Sequence, residues 1–102
     1  MMNLKTKQMV TLKKFSAVWC GPCRALAPVI NEVKNQFSNV KFEEYDVDTA
    51  YDEATKYGIR SVPTVMFFDG NVKINSTVGM QSDNHYKEIL AQIKLLRKDL
   101  KK

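Results

Sequence analysis

The sequence predicts an α/β domain, a small mixed sheet of about four strands flanked on both faces by about three helices. Three features carry that expectation. A strand–helix–strand succession runs from Val10 to Asp48, two β-rich runs meet at Asp69-Gly70, and an apolar stripe at helical spacing closes the chain. With 102 residues, 44% hydrophobic and 26% charged, there is material for one core and little more. Residues 1–102 are therefore read as a single domain.

The elements follow in order. "VTLKKFSAV" (10–18) is β-prone at both ends and interrupted by Lys13 and Lys14. Pro22 stands where a first helical turn tolerates proline, because its missing N–H would be unpaired there anyway. Leu26, Val29, Ile30, Val33 and Phe37 then recur at helical spacing, which predicts a helix from about Pro22 to Gln36 with one buried face. Pro28 lies inside it and should kink it. "NVKFEEYDVD" (39–48) alternates Val40, Phe42 and Glu44 against Lys41, Glu43 and Tyr45, a second strand. Thr49 followed by Asp52 resembles a capping box, opening a short helix that ends at Gly58. "TVMFFDGNVKINSTVG" (64–79) reads as a hairpin through Asp69-Gly70. Ser82 caps a last helix whose stripe is Tyr86, Ile89, Leu90, Ile93, Leu96 and Leu100. The strand–helix–strand unit implies parallel neighbours, and the hairpin adds antiparallel ones.

Charge and hydropathy exclude several classes. The net charge of +5 gathers partly at the ends, with Lys5, Lys7, Lys13 and Lys14 near the start and Arg97, Lys98, Lys101 and Lys102 near the finish. Cations in the last turns of a helix suit its dipole, and no nucleic-acid motif is interleaved with them, so nucleic-acid binding is not expected. No apolar run is long enough to span a membrane, and "MMNLKTKQMV" does not read as a signal peptide. A cytoplasmic address is the expectation.

"WCGPC" (19–23) holds the only two cysteines, Cys20 and Cys23. A reducing compartment disfavours a permanent structural clip, so the pair reads as catalytic or metal-binding. A structural zinc site takes four ligands, and His85 is the only histidine left to join the pair, so no metal is expected. Cys20 follows a strand and stands at the mouth of the helix opening near Pro22, where unpaired N–H groups and the dipole favour an anion. Thiols so placed have pKa values of about 3.5 to 7.5. Cys23, one turn inside, should be more shielded and less acidic. The pair can then work in sequence. Cys20 thiolate attacks a disulfide, and Cys23 resolves the mixed disulfide, leaving a Cys20–Cys23 bond.

With these residues in view, the chain resembles the thioredoxin family, on "WCGPC" (19–23), "KYGIRSVPT" (56–64), "FFDGNV" (67–72) and "VG" (78–79), from about Val10 to the end. The resemblance implies a thioredoxin-like fold and a protein-disulfide reductase acting as an electron carrier. It implies a cis proline at Pro63 facing the cysteines and a substrate groove of Trp19, Gly21, Pro22, Val62, Pro63, Val78, Gly79 and Met80. For Val62 and Val78, ordinary strand packing is the competing reading. No cofactor is implied beyond the redox-active cysteine pair. The partners implied are disulfide-containing proteins and a thioredoxin reductase as donor, with the chain itself a monomer. Gly-Pro between the cysteines is similar to the reducing members; an oxidase or isomerase, or a scaffold with dispensable cysteines, are the alternatives.

Three departures from the family matter. Only nine residues precede Val10, too few for the strand and helix that usually come first, so a trimmed fold is expected. The family commonly buries an aspartate six residues before the first cysteine, with a lysine on the next strand, the acid taking a proton from the second cysteine. Here those places hold Lys14 and Glu44. Either the pair is kept with its charges exchanged, Glu44 being the acid behind Cys23, or Lys14 snorkels to the surface and Glu44 is solvated. The candidate reacting set is thus Cys20, Cys23, Glu44 and Lys14. Finally, Ser16 stands where the family places a second tryptophan, removing apolar surface beside the cysteines.

Overall fold

A computed structural model of the chain describes residues 9–96. The order of elements is β1 (Val10–Ser16), α1 (Gly21–Gln36), β2 (Val40–Asp46), α2 (Tyr51–Lys56), β3 (Thr64–Asp69), β4 (Val72–Val78) and α3 (Asp83–Leu96). The described strands form one sheet in the order β2-β1-β3-β4. β1 runs parallel to β2 and antiparallel to β3, and β3 pairs with β4 antiparallel. This is the mixed α/β architecture expected from the sequence. The first strand and helix expected to be missing, and Leu100 of the closing stripe, lie outside the described residues.

The two-residue period of the strands sorts side chains between two cores. Val10 and Leu12 of β1, Val40 of β2 and Val65 and Phe67 of β3 face one way, against Leu26, Ile30 and Val33 of α1 and Tyr86, Leu90 and Ile93 of α3. Phe15, Met66 and Phe68 face the other, packed by Tyr45, Tyr57 and Ile59 around α2. Lys14 shares the parity of Val10 and Leu12, so it points under α1. The parallel register sets it directly beside Glu44.

Local chemistry explains the element ends. Gly58, at φ +64°, closes α2: its N–H donates to Thr55 O and the Ile59 N–H reaches back to Ala54 O, satisfying two carbonyls left open by the helix. The hairpin turns on Gly70-Asn71, with Gly70 also at φ +64°. Ser82 caps α3 as expected, its Oγ accepting the His85 N–H at 3.3 Å.

Two expectations need correction. Thr49 does not cap α2; the helix begins after Ala50, with no side chain capping it. Asp46 organises the turn instead, its carbonyl accepting the Thr49 and Ala50 N–H groups and its carboxylate that of Asp48. Thr49 therefore falls one residue early, and its hydroxyl donates to Asp46 O. Leu96 is 85% exposed: the buried part of the stripe ends at Ile93, one turn short of it.

Candidate active site

After β1 the chain turns tightly, the Cys20 N–H donating to Ala17 O at 3.1 Å. Cys20 then serves as the N-cap of α1 in an extended conformation, with Gly21 and Pro22 opening the helix. Its Sγ accepts the Cys23 N–H at 3.2 Å, the position a serine or aspartate oxygen takes in an ordinary cap. Cys20 and Cys23 are joined in a disulfide, with Cα atoms 5.2 Å apart. The helix mouth that receives this sulfur would stabilise its thiolate once the bond is reduced.

The two cysteines are covered almost equally, Cys20 being 5% and Cys23 3% exposed. The expected difference in shielding is therefore absent in the disulfide form. The asymmetry is positional: one sulfur sits at the helix mouth and the other within its first turn.

The residues expected to line a groove lie toward one end of the sheet. Val62 is half-buried, packs against Ala17, Cys20 and Cys23, and places its carbonyl oxygen 3.8 Å from Cys20 Sγ. The Val62–Pro63 peptide is cis. Pro63 O accepts the Gly79 N–H at 2.8 Å, which ties the end of β4 to the proline, and Gly79 adopts φ +87° there. Val78 is 61% exposed rather than packed in a core, and Met80 and Trp19 are also exposed. Gly21 and Pro22 lie exposed at the start of α1.

Lys14 and Glu44 meet under α1, Nζ to Oε2 at 2.9 Å. The lysine side chain is 6% exposed and the glutamate 65%. Lys14 does not snorkel, and Glu44 is not buried; only the cation is withdrawn from water. Both line a cleft of about 400 Å³ that also takes in Cys23, Arg24 and Asp46.

Two contacts escaped the sequence reading. The Trp19 indole Nε1 donates to Asp48 Oδ2 at 2.8 Å, and an Arg24 Nη1 donates to Val18 O at 2.7 Å. Asp48, in the loop after β2, carries no local signal of this role, because its partner lies 29 residues away. His85 is engaged with Thr77, Nε2 to Oγ1 at 3.0 Å. Among the described residues no group of three or more His, Cys, Asp and Glu could hold a metal, and no helix is long and apolar enough to cross a membrane.

Comparison with known proteins agrees with this geometry. The family model described as Thioredoxin matches residues 2–93. Thioredoxin Asp f 29 of Aspergillus fumigatus is 46% identical over 66 residues, which is 63% of this chain and 60% of that protein. The chloroplastic M-type thioredoxin of Pisum sativum is 44% identical over 69 residues, 67% of this chain and 40% of that one. The chain thus spans less than two thirds of the length of either relative. Among solved structures, a mutant thioredoxin from Halobacterium salinarum superposes with a TM-score of 0.78 at 33% identity, covering 83% of this chain and 74% of that one.

Proposed function

This chain belongs to the thioredoxin family, and from that membership we propose that it reduces disulfide bonds in partner proteins by dithiol exchange through Cys20 and Cys23. The observation that carries the reading is the seat of Cys20 Sγ: at the N-terminus of α1, receiving the Cys23 N–H, and already bonded to Cys23.

The exchange starts from the reduced pair. Cys20 thiolate attacks one sulfur of the substrate disulfide; that bond breaks, and the departing substrate sulfur leaves as a thiolate that takes a proton from water. Cys23 then loses its proton and attacks Cys20 Sγ, expelling the second substrate sulfur. Two electrons have passed from the Cys20–Cys23 dithiol to the substrate, and the pair is left as the disulfide described above. The electrons stay on sulfur throughout, so the reaction as proposed needs no cofactor.

Each site residue has a part in this proposal. Cys20 is the nucleophile and Cys23 the resolving thiol. Gly21 and Pro22 between them leave the helix mouth open; an added Cβ at Gly21 would meet nothing within 4 Å. Val62, with Pro63 and Gly79, presents backbone to an extended substrate segment, while Trp19, Val78 and Met80 supply apolar rim. Glu44 takes up the Cys23 proton through the cleft they share, with Lys14 as its partner.

The electron donor we propose is a flavin-dependent thioredoxin reductase, and the chain acts as a monomeric carrier that binds no nucleic acid. A cytoplasmic address is the reading favoured by so sparing a use of cysteine. One relative is chloroplastic by name, and cell fractionation decides the point.

Insulin disulfide reduction tests the whole reading, first with dithiothreitol and then with a thioredoxin reductase and NADPH. Catalysed precipitation of the insulin chains with both donors is the expected result. Failure with both, together with full biological activity of a Cys20→Ser/Cys23→Ser chain, would make the fold a scaffold. A redox potential well above the reducing range would make it an oxidase or isomerase.

A further inference from the structure

We propose that Lys14 is a positioning residue for the exchange, holding a positive charge behind Cys23 that makes the resolving thiol more acidic. This rests on the exchange reading above and adds to it what sets the reactivity of the second sulfur.

The geometry that carries it is an uneven ion pair. Lys14 lies mid-strand in β1, and strand parity sends its side chain under α1. Burying an ammonium is costly unless an anion answers it. The answer is Glu44 at 2.9 Å, but that carboxylate is ten times more exposed, 65% against 6%. Water screens the glutamate far more than it screens the lysine, so the compensation is one-sided. Lys14 and Cys23 line the same cleft.

The other charges on that cleft do not replace it. Arg24 keeps its charge but is exposed, with its guanidinium held at Val18 O, so water screens it. Asp46 is half-buried, with its carboxylate accepting the Asp48 N–H at 2.8 Å. From β1, β2 and α1, the ionisable and charged groups lining the cleft with Cys23 are thus Lys14, Arg24, Glu44 and Asp46. Only Lys14 among them is buried.

The consequence appears when the disulfide is opened. A dithiol reductant supplies two electrons, the Cys20–Cys23 bond breaks, and Cys23 becomes a titrating thiol on the cleft that the buried Lys14 also lines. An opposite charge close by lowers a pKa by about 1 to 3 units, and across a wetted cleft the lower end applies. Removing the charge should therefore raise the Cys23 pKa by about one unit. The thiolate fraction near neutral pH then falls about tenfold. Intrinsic nucleophilicity rises with pKa and recovers part of that, so resolution slows about threefold. The potential responds only where Cys23 is ionised. Above its pKa the neutral variant is tenfold harder to keep reduced, about 30 mV lower, and at acid pH the two curves merge.

The test titrates Cys23 alone, in a full-length Cys20→Ser chain, by thiolate ultraviolet absorbance. Lys14→Met should raise the pKa by about one unit, and Lys14→Arg should keep it within a few tenths. An unchanged pKa in Lys14→Met, or equal shifts in the Met and Arg variants, would show packing rather than charge and overturn the proposal. Should Lys14→Met not fold, Lys14→Gln decides. It keeps a polar side chain but no charge, so the Cys23 pKa must rise as in the methionine variant; no change or a fall overturns the idea. This titration needs no substrate and no turnover, so its outcome is independent of whether insulin reduction succeeds.

Discussion

Trp19 and Asp48 are joined across the mouth of the site, the indole Nε1 donating to a carboxylate oxygen at 2.8 Å. The ring is 66% exposed and would otherwise be free to rotate. If Trp19 meets substrate as proposed, the bond orders the ring in advance, so that ordering is not lost again on binding. Asp48→Ala should raise the KM for insulin reduction about two- to fivefold with little change in kcat, the size of one modest hydrogen bond. Asp48→Asn, which keeps an acceptor, should fall between. Trp19 fluorescence anisotropy checks the cause: it should drop in the alanine variant, and unchanged anisotropy would remove this explanation.

The roles of the two sulfurs separate in a trapping experiment. In Cys23→Ser the nucleophile remains and the resolving thiol is gone, so a mixed disulfide with substrate should accumulate on Cys20 and persist until an external thiol is added. In Cys20→Ser no such adduct should form. Mass spectrometry of the intact adduct reads both outcomes. Because the two cysteines are about equally covered in the disulfide form, the result depends on the helix-mouth position of Cys20 rather than on exposure. Trapping at Cys23 instead would reverse the assignment.

Much of this was legible from residue spacing. Spacing gives the alternation of Val40, Phe42 and Glu44 on β2, and the family resemblance, not periodicity, is what sets Lys14 opposite Glu44. The parallel register makes them neighbours. The helix start at Gly21 is visible because proline, cysteine and an apolar stripe all bear on it locally. What could not be read is what depends on depth or distance. Nothing in the strand pattern says that Lys14 is covered while Glu44 reaches water, because that follows from where α1 lies over the sheet. The Trp19–Asp48 bond links loops 29 residues apart. Thr49 does not cap α2 because Asp46 already satisfies the N–H groups of the turn, a contact with no local sequence signal.

Glu44→Gln bears on the path of the Cys23 proton. If Glu44 receives it, the variant should resolve mixed disulfides more slowly. The deficit should be largest below the Cys23 pKa, where deprotonation limits the step, and should vanish in alkaline solution. Stopped-flow resolution rates across pH measure it. A profile superposing on that of the parent would take Glu44 out of the path and leave water as the acceptor.

On the opposite face of the sheet, Tyr45 donates its hydroxyl to Glu43 Oε1 at 2.7 Å while its ring stacks on Phe15, centroids 5.2 Å apart. The hydrogen bond from Tyr45, then that from Lys41, holds the Glu43 carboxyl below the usual carboxylate range, against the opposing effect of burial. The same bond is the main reason the Tyr45 phenol is held above its ordinary value. A depressed carboxyl pKa contributes stability that is present above the unfolded value and lost as pH falls through the folded one. A raised phenol pKa contributes stability below its unfolded value and loses it as pH rises. Tyr45→Phe keeps the stack and deletes only the bond. It should cost about 1 kcal/mol at neutral pH, and the difference from the parent should shrink on both sides, in acid as Glu43 protonates and in alkali as the phenol ionises. Denaturant unfolding at three pH values tests this, and a deficit that stays constant from acid to alkali would show that the phenylalanine acts through packing.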